Sequence, residues 1–187
     1  MALTTLDPRT ALIAVDLQKG VLALPAVAQA AAGVVQRSAD LADAFRARGL
    51  PVVLVNVDGF APGRREHDAM KGPPPAGWTE LAPGLRAQAS DWRVTKRSPG
   101  AFTATGLEAR LKDAGVTQVV VAGVSTGIGV ETTGRQAYEL GFNVTFAIDA
   151  MVDGDAAVHA NSIERVFPRF GETGTCAQIA ALLARFA

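Results

Sequence analysis

A chain of 187 residues fits one domain around one hydrophobic core. Hydrophobic side chains make up 49% of it and charged ones 19%, a balance that excludes a disordered chain. The 18 Lys and Arg cancel the 18 Asp and Glu, which leaves no basic footprint for nucleic acid and no polybasic surface for anionic lipid.

The first apolar run, 11–15 (ALIAV), reads as a strand and leads into Asp16-Leu17-Gln18. The apolar stretch 11–35 is interrupted by Asp16, Gln18, Lys19 and Pro25, so it is not a membrane span. No basic segment precedes it in the manner of a signal peptide, and a cytoplasmic protein is expected. Residues 26–48 carry helical spacing: Val34, Leu41, Ala42 and Phe45 share a stripe, while Arg37, Asp40 and Arg48 lie elsewhere. Gly49 stops that helix. A second strand follows at 51–56 (PVVLVN). Residues 57–80 show no sustained periodicity and include the run Gly72-Pro73-Pro74-Pro75 and Trp78. A stretch that long between regular elements suits a lid or an interface arm.

A weaker strand at 92–95 (WRVT) runs into Lys96, and a helix at 106–114 ends before Gly115. The run 119–122 (VVVA) leads into a glycine turn, 123–129 (GVSTGIG), which opens a helix over 128–140. A strand at 143–148 (NVTFAI), a helix at 156–167 before Pro168 and a last helix at 175–186, capped by Thr175, complete the chain. The lone cysteine, Cys176, closes no internal disulfide and fits a reducing compartment; at the start of the last helix it reads as a packing residue.

Apolar runs alternating with helical patterns predict a three-layer α/β/α, doubly wound (Rossmann-like) domain over residues 1–187, with a mostly parallel sheet of about six strands. In such sheets ligands bind beyond the carboxyl ends of the strands, where strand order reverses. Asp16, Lys96 and the glycine turn would meet there. Each also has a plainer explanation: an aspartate capping a turn, a solvated lysine, and glycines required by the turn itself. Glycines at 123, 127 and 129 do not have dinucleotide spacing, and no Lys-Ser/Thr closes a phosphate loop. A flavin or dinucleotide protein is therefore disfavoured, and no cofactor is expected. The backbone N–H groups around Ile128 and Gly129 are candidates to hold an oxyanion or carboxylate.

Together these blocks resemble the isochorismatase-like hydrolase superfamily, a likeness running through nearly the whole chain. Ala14-Val15-Asp16-Leu17-Gln18 matches its opening strand; Lys96 followed by Ala101-Phe102 and Thr105-Gly106-Leu107 matches its lysine block. Ala122-Gly-Val-Ser-Thr126-Gly-Ile-Gly129-Val130-Glu-Thr-Thr133 matches its third block, and Asp149-Ala150 its fifth strand. The departure is Gly129, which stands where family amidases place a cysteine nucleophile. The resemblance implies a small-molecule substrate, a homodimer or homotetramer, and a cis Val124–Ser125 peptide. It implies Asp16, Lys96 and Gly129 at the reacting centre, with Gln18, Phe102, Val124, Ser125, Thr126 and Ile128 around the substrate.

A family metal cluster of one aspartate and two histidines is not expected, since the relevant loop offers Asp58 and His67 and the other histidine is His159. Without the thiol, the resemblance implies either a hydrolase in which Asp16 acts as an acid, as in vinyl-ether cleavage, or a metabolite-binding or assembly subunit with no activity. For the acid role, burial would raise the Asp16 pKa and a nearby Lys96 would lower it, unless Lys96 pairs with a substrate carboxylate.

Overall fold

The computed structural model describes residues 3–66 and 74–186. Its strands are β1 (Thr10–Val15), β2 (Val52–Val57), β3 (Trp92–Lys96), β4 (Gln118–Val124), β5 (Asn143–Val152) and β6 (Glu172–Gly174). They form one parallel sheet in the order β3-β2-β1-β4-β5-β6. The helices are α1 (Lys19–Leu22), α2 (Pro25–Arg46), α3 (Leu107–Asp113), α4 (Glu131–Glu139), α5 (Ala156–Asn161) and α6 (Cys176–Leu183).

Strand alternation divides the core in two. Leu12, Ala14, Leu54, Val120 and Ala122 face α2 and α6, meeting Leu41, Phe45 and Ile179. Ala11, Ile13, Val15, Val119 and Val121 face α3 and α4, meeting Leu111, Ala137 and a stacked Phe146–Phe167 pair with centroids 3.8 Å apart. β1 and β4 are buried on both faces, which is why they are continuous apolar runs without alternation. Each fully buried Leu or Ile contributes roughly 1.5–3 kcal/mol through apolar area removed from water.

Several elements differ from their sequence outlines, three of them in kind. The helix expected over 156–167 is α-helical only through Asn161, then widens into a π-turn at Ser162–Val166 and tightens to a 3-10 turn at Phe167–Arg169, where Pro168 removes a backbone donor. The helix expected from Ile128 begins instead with a π-turn, Thr126–Val130. β6, three residues long, carries no apolar run to announce it. The Thr175 cap is present as a full capping box with Gln178. No described helix is long and apolar enough to cross a membrane.

Strand order reverses between β1 and β4. The carboxyl ends of these two strands, with that of β3 beyond β2, form the crevice that holds the functional side chains.

Candidate active site

Asp16 follows β1 directly and takes a left-handed φ of 53°, a conformation that aspartate tolerates better than most residues. Its N–H donates to the Val55 carbonyl (2.9 Å), so the chain turns across the strand ends. From the far side of β2, the last residue of β3, Lys96, donates from Nζ to Asp16 Oδ2 at 2.8 Å. The same ammonium donates to the carbonyls of Ser98 (3.1 Å) and Pro99 (2.8 Å). All three of its donors are therefore committed. Lys96 is 2% exposed, which rules out a solvated surface charge, and its saturation leaves no donor for a substrate carboxylate.

Asp16 is buried, and its second oxygen, Oδ1, has no hydrogen-bond partner among the described residues. Burial dominates the Asp16 carboxyl and pushes its pKa up to about 6, against the lowering effect of the Lys96 charge and hydrogen bond. An acid of that strength exchanges protons near neutral pH.

The turn after β4 supplies the other wall. The Val124–Ser125 peptide is cis, as the family resemblance implies. Gly129 faces the carboxylate: a Cβ built there lies 3.3 Å from Asp16 Oδ2 and 2.8 Å from the Val124 carbonyl oxygen. A side chain at 129 would thus point at the acid, as a cysteine nucleophile requires, but here glycine backbone fills that place. The Ile128 N–H donates back within the turn to the Ser125 carbonyl (3.2 Å).

These groups line a cavity of about 700 Å³. Asp16, Lys96, Val124, Ser125, Ile128 and Gly129 all border it. Gln18, Phe102 and Thr126 do not. Gln18 is fully buried and stitches three segments: it donates to the Val57 carbonyl (3.0 Å) and the Trp78 carbonyl (3.2 Å) and accepts from the Val57 N–H (2.7 Å). Phe102 packs in the core against Phe142. Thr126 is buried behind the turn and hydrogen-bonds His159 Nδ1 at 2.8 Å.

Apolar walls from Val21, Leu24 and Phe60 and rim residues Arg64 and Arg65 also line the cavity, beyond the residues expected there. Val21 and Leu24 follow closely on Asp16 in sequence, and that proximity was an available signal. Trp78 does reach the cavity. Its segment pairs with the chain after β1, through Gly20 N–H to Trp78 O (2.9 Å) and Lys19 N–H to Glu80 O (2.8 Å). Gly20 is required there, since a Cβ would lie 1.9 Å from the indole.

Asp58 pairs with Arg97 at 2.9 Å, and that hydrogen bond holds its carboxyl below the usual range. His159 belongs to Thr126, and His67 lies outside the described residues. Among the described residues no three His, Cys, Asp or Glu side chains gather as a metal-binding group.

A doubly wound parallel sheet with a buried Asp–Lys pair and a strand-to-helix turn at its switch point is the frame of the isochorismatase-like hydrolases. The isochorismatase domain model matches residues 10–178, and the chain belongs to that family of hydrolases. YecD, an isochorismatase family protein of Escherichia coli O157:H7, is 40% identical over 179 residues, covering 91% of this chain and 94% of that one. The streptothricin hydrolase of Streptomyces noursei is 36% identical over 143 residues, 75% of this chain and 48% of its own. The solved structure of an isochorismatase family protein from Burkholderia thailandensis superposes with a TM-score of 0.88 at 39% identity, covering 96% and 98% of the two chains.

Proposed function

We propose that this chain hydrolyses a small metabolite by acid–base chemistry at Asp16, without a covalent enzyme intermediate. The observation that carries the reading is the state of Asp16. It is buried at the cavity wall, with one oxygen on Lys96, the other unpartnered and its pKa near 6. Gly129 removes the nucleophile that would otherwise compete for that position. The bond best suited to such an acid is a vinyl ether or a related C–O or C–N bond.

In the vinyl-ether case, protonated Asp16 transfers its proton to the enol carbon and leaves an oxocarbenium ion. Water adds to that ion and returns a proton to the Asp16 carboxylate. The resulting hemiketal breaks its C–O bond to release an alcohol and a carbonyl product. Lys96 stays in place throughout, holding Oδ2, and its charge stabilises the carboxylate left after proton transfer.

A panel of vinyl ethers, amides, imides and small esters tests the reading, with Asp16→Asn as control. Turnover that vanishes in the variant is the expected result. A panel left untouched by the wild type overturns the reading in favour of a metabolite-binding or assembly subunit.

A further inference from the structure

The turn that walls the cavity has two sides, and its residues divide between them. Val124, Ser125, Ile128 and Gly129 face the cavity. Thr126, Gly127 and Glu131 face away, and all three are tied to the segment running from the end of β5 through α5. The Gly127 N–H donates to Asp153 Oδ2 (2.8 Å), Thr126 Oγ1 is hydrogen-bonded to His159 Nδ1 (2.8 Å), and Ser162 Oγ donates to Glu131 Oε2 (2.7 Å). Val158 closes over the same place, its Cγ1 lying 2.2 Å from where a Gly127 Cβ would be. Asp155 caps α5 by accepting from the N–H groups of Ala157 and Val158, which fixes the helix that presents His159.

We infer that residues 153–162 form a brace behind the active-site turn and that His159 is its positioning residue, setting where Ile128 and Gly129 stand relative to Asp16. Two features single out His159 among the three ties. Its partner, Thr126, is wholly buried and directly follows Ser125 of the cavity wall, so movement there is carried straight into that wall. Among the described residues Thr126 has no other side-chain hydrogen bond, so losing His159 leaves its buried hydroxyl without one of them as a partner. The Gly127–Asp153 tie, by contrast, joins backbone to the end of an adjacent strand and follows from sheet pairing of Val124 with Val152.

The inference rests on the proposed catalytic role for its effect on turnover, but not for its effect on the turn. Amide hydrogen exchange of the whole chain is therefore followed in the wild type, His159→Ala, His159→Asn and Thr126→Val. Alanine keeps α5 helical, and asparagine offers a polar atom in the position of Nδ1. The expected result is exchange about tenfold faster across residues 127–131 in His159→Ala and Thr126→Val, with Val120 and its β4 neighbours unchanged, and near-wild-type exchange in His159→Asn. On any substrate the panel yields, kcat falls about tenfold in His159→Ala with KM within twofold, and asparagine restores it. Unchanged exchange at 127–131, equal acceleration throughout the molecule, or no rescue by asparagine overturns the brace. An absence of turnover in every protein alongside the expected exchange pattern overturns the hydrolase reading and leaves the brace standing.

Discussion

β3 carries a buried ion pair at each end, and the two are built differently. At its amino end Asp91 takes Arg46 in a two-pronged grip, Nε to Oδ1 and Nη2 to Oδ2, each at 2.9 Å, and accepts the Gln88 N–H at 2.7 Å. Both carboxylate oxygens are satisfied, and the hydrogen bond to Asp91 is the main cause that raises the Arg46 pKa. At the carboxyl end Lys96 is saturated, but Asp16 keeps an oxygen with no partner and a pKa pushed up to about 6. A fully bonded buried pair fixes structure; a half-bonded one retains a proton that can be given away.

The largest expected effects separate these roles. Asp16→Asn keeps the shape of the side chain but removes the acid, and turnover should fall on the order of 10³-fold, within the range for loss of a general acid. Asp91→Ala takes a two-pronged carboxylate from a part-buried guanidinium that keeps Asp43, and should cost about 1.5–3 kcal/mol in urea unfolding, while kcat per folded molecule stays within a few-fold of wild type. Loss of turnover in Asp91→Ala at unchanged stability would erase the distinction between the two ends.

A second test sharpens the comparison through pH. The protonated form of Asp16 is the donor, so kcat/KM should decline as pH rises through about 6. In Lys96→Ala the cation that lowers this pKa is gone, and the midpoint should move upward by about one pH unit, since an adjacent opposite charge lowers a carboxyl by one unit or more. Stability follows the same group. Its folded pKa lies above the ordinary 3.8, so between that value and about 6 the folded chain binds more protons than the unfolded one. Asp16 therefore makes stability fall as pH rises across that window, measurable as a drop in the urea midpoint.

Lys96 ends the half-exposed edge strand β3, but Asp16 and the glycine turn, like the layers of the fold, were legible because each of the two follows a strand buried on both faces. Such strands have to be continuous apolar runs, and the doubly wound arrangement gathers their carboxyl ends. What escaped was set by contacts between distant segments. Gln18 sits two residues beyond Asp16, yet its amide turns away from the cavity to pair with Val57 and Trp78. Thr126 looked like a substrate contact because it lies in the turn, but the π-turn points it at His159. Phe60, Arg64 and Arg65 lie in the aperiodic stretch, where periodicity gives no face to assign. β6 is too short for an apolar run and depends on pairing with Thr145–Ala147 of β5.

A smaller effect is expected at Gly129, where the resemblance and the geometry of this chain pull apart. The added methyl of Gly129→Ala meets the Val124 carbonyl oxygen at 2.8 Å, Val15 at 3.1 Å and Asp16 Oδ2 at 3.3 Å. Backbone cannot yield as a flexible side chain does, so the turn has to shift. Overpacking of this kind costs about 1–3 kcal/mol in thermal or urea unfolding. About a tenfold loss of kcat should accompany it, since even a small displacement of the wall disturbs alignment with Asp16. Wild-type stability and turnover in Gly129→Ala would mean that the cavity wall has slack there.

The smallest effect should come from the single cysteine, and it bears on whether sulfur has any part in the reaction. Cys176 opens α6, and a helix amino terminus ordinarily lowers a thiol pKa. Here burial, helped by the neighbouring Asp149 carboxylate, wins and pushes the thiol up to about 12, leaving almost no thiolate at neutral pH. Its backbone N–H is held by Asp149 Oδ1 at 2.7 Å, and the residue packs with the core on the α2 and α6 side of the sheet without lining the cavity. Cys176→Ala should keep kcat within twofold and make the chain inert to thiol alkylation, while the wild type alkylates slowly without loss of turnover. A large loss of activity in that variant would place the nucleophile in a part of the molecule where Asp16 cannot reach it, and the acid at the end of β1 would then need another purpose.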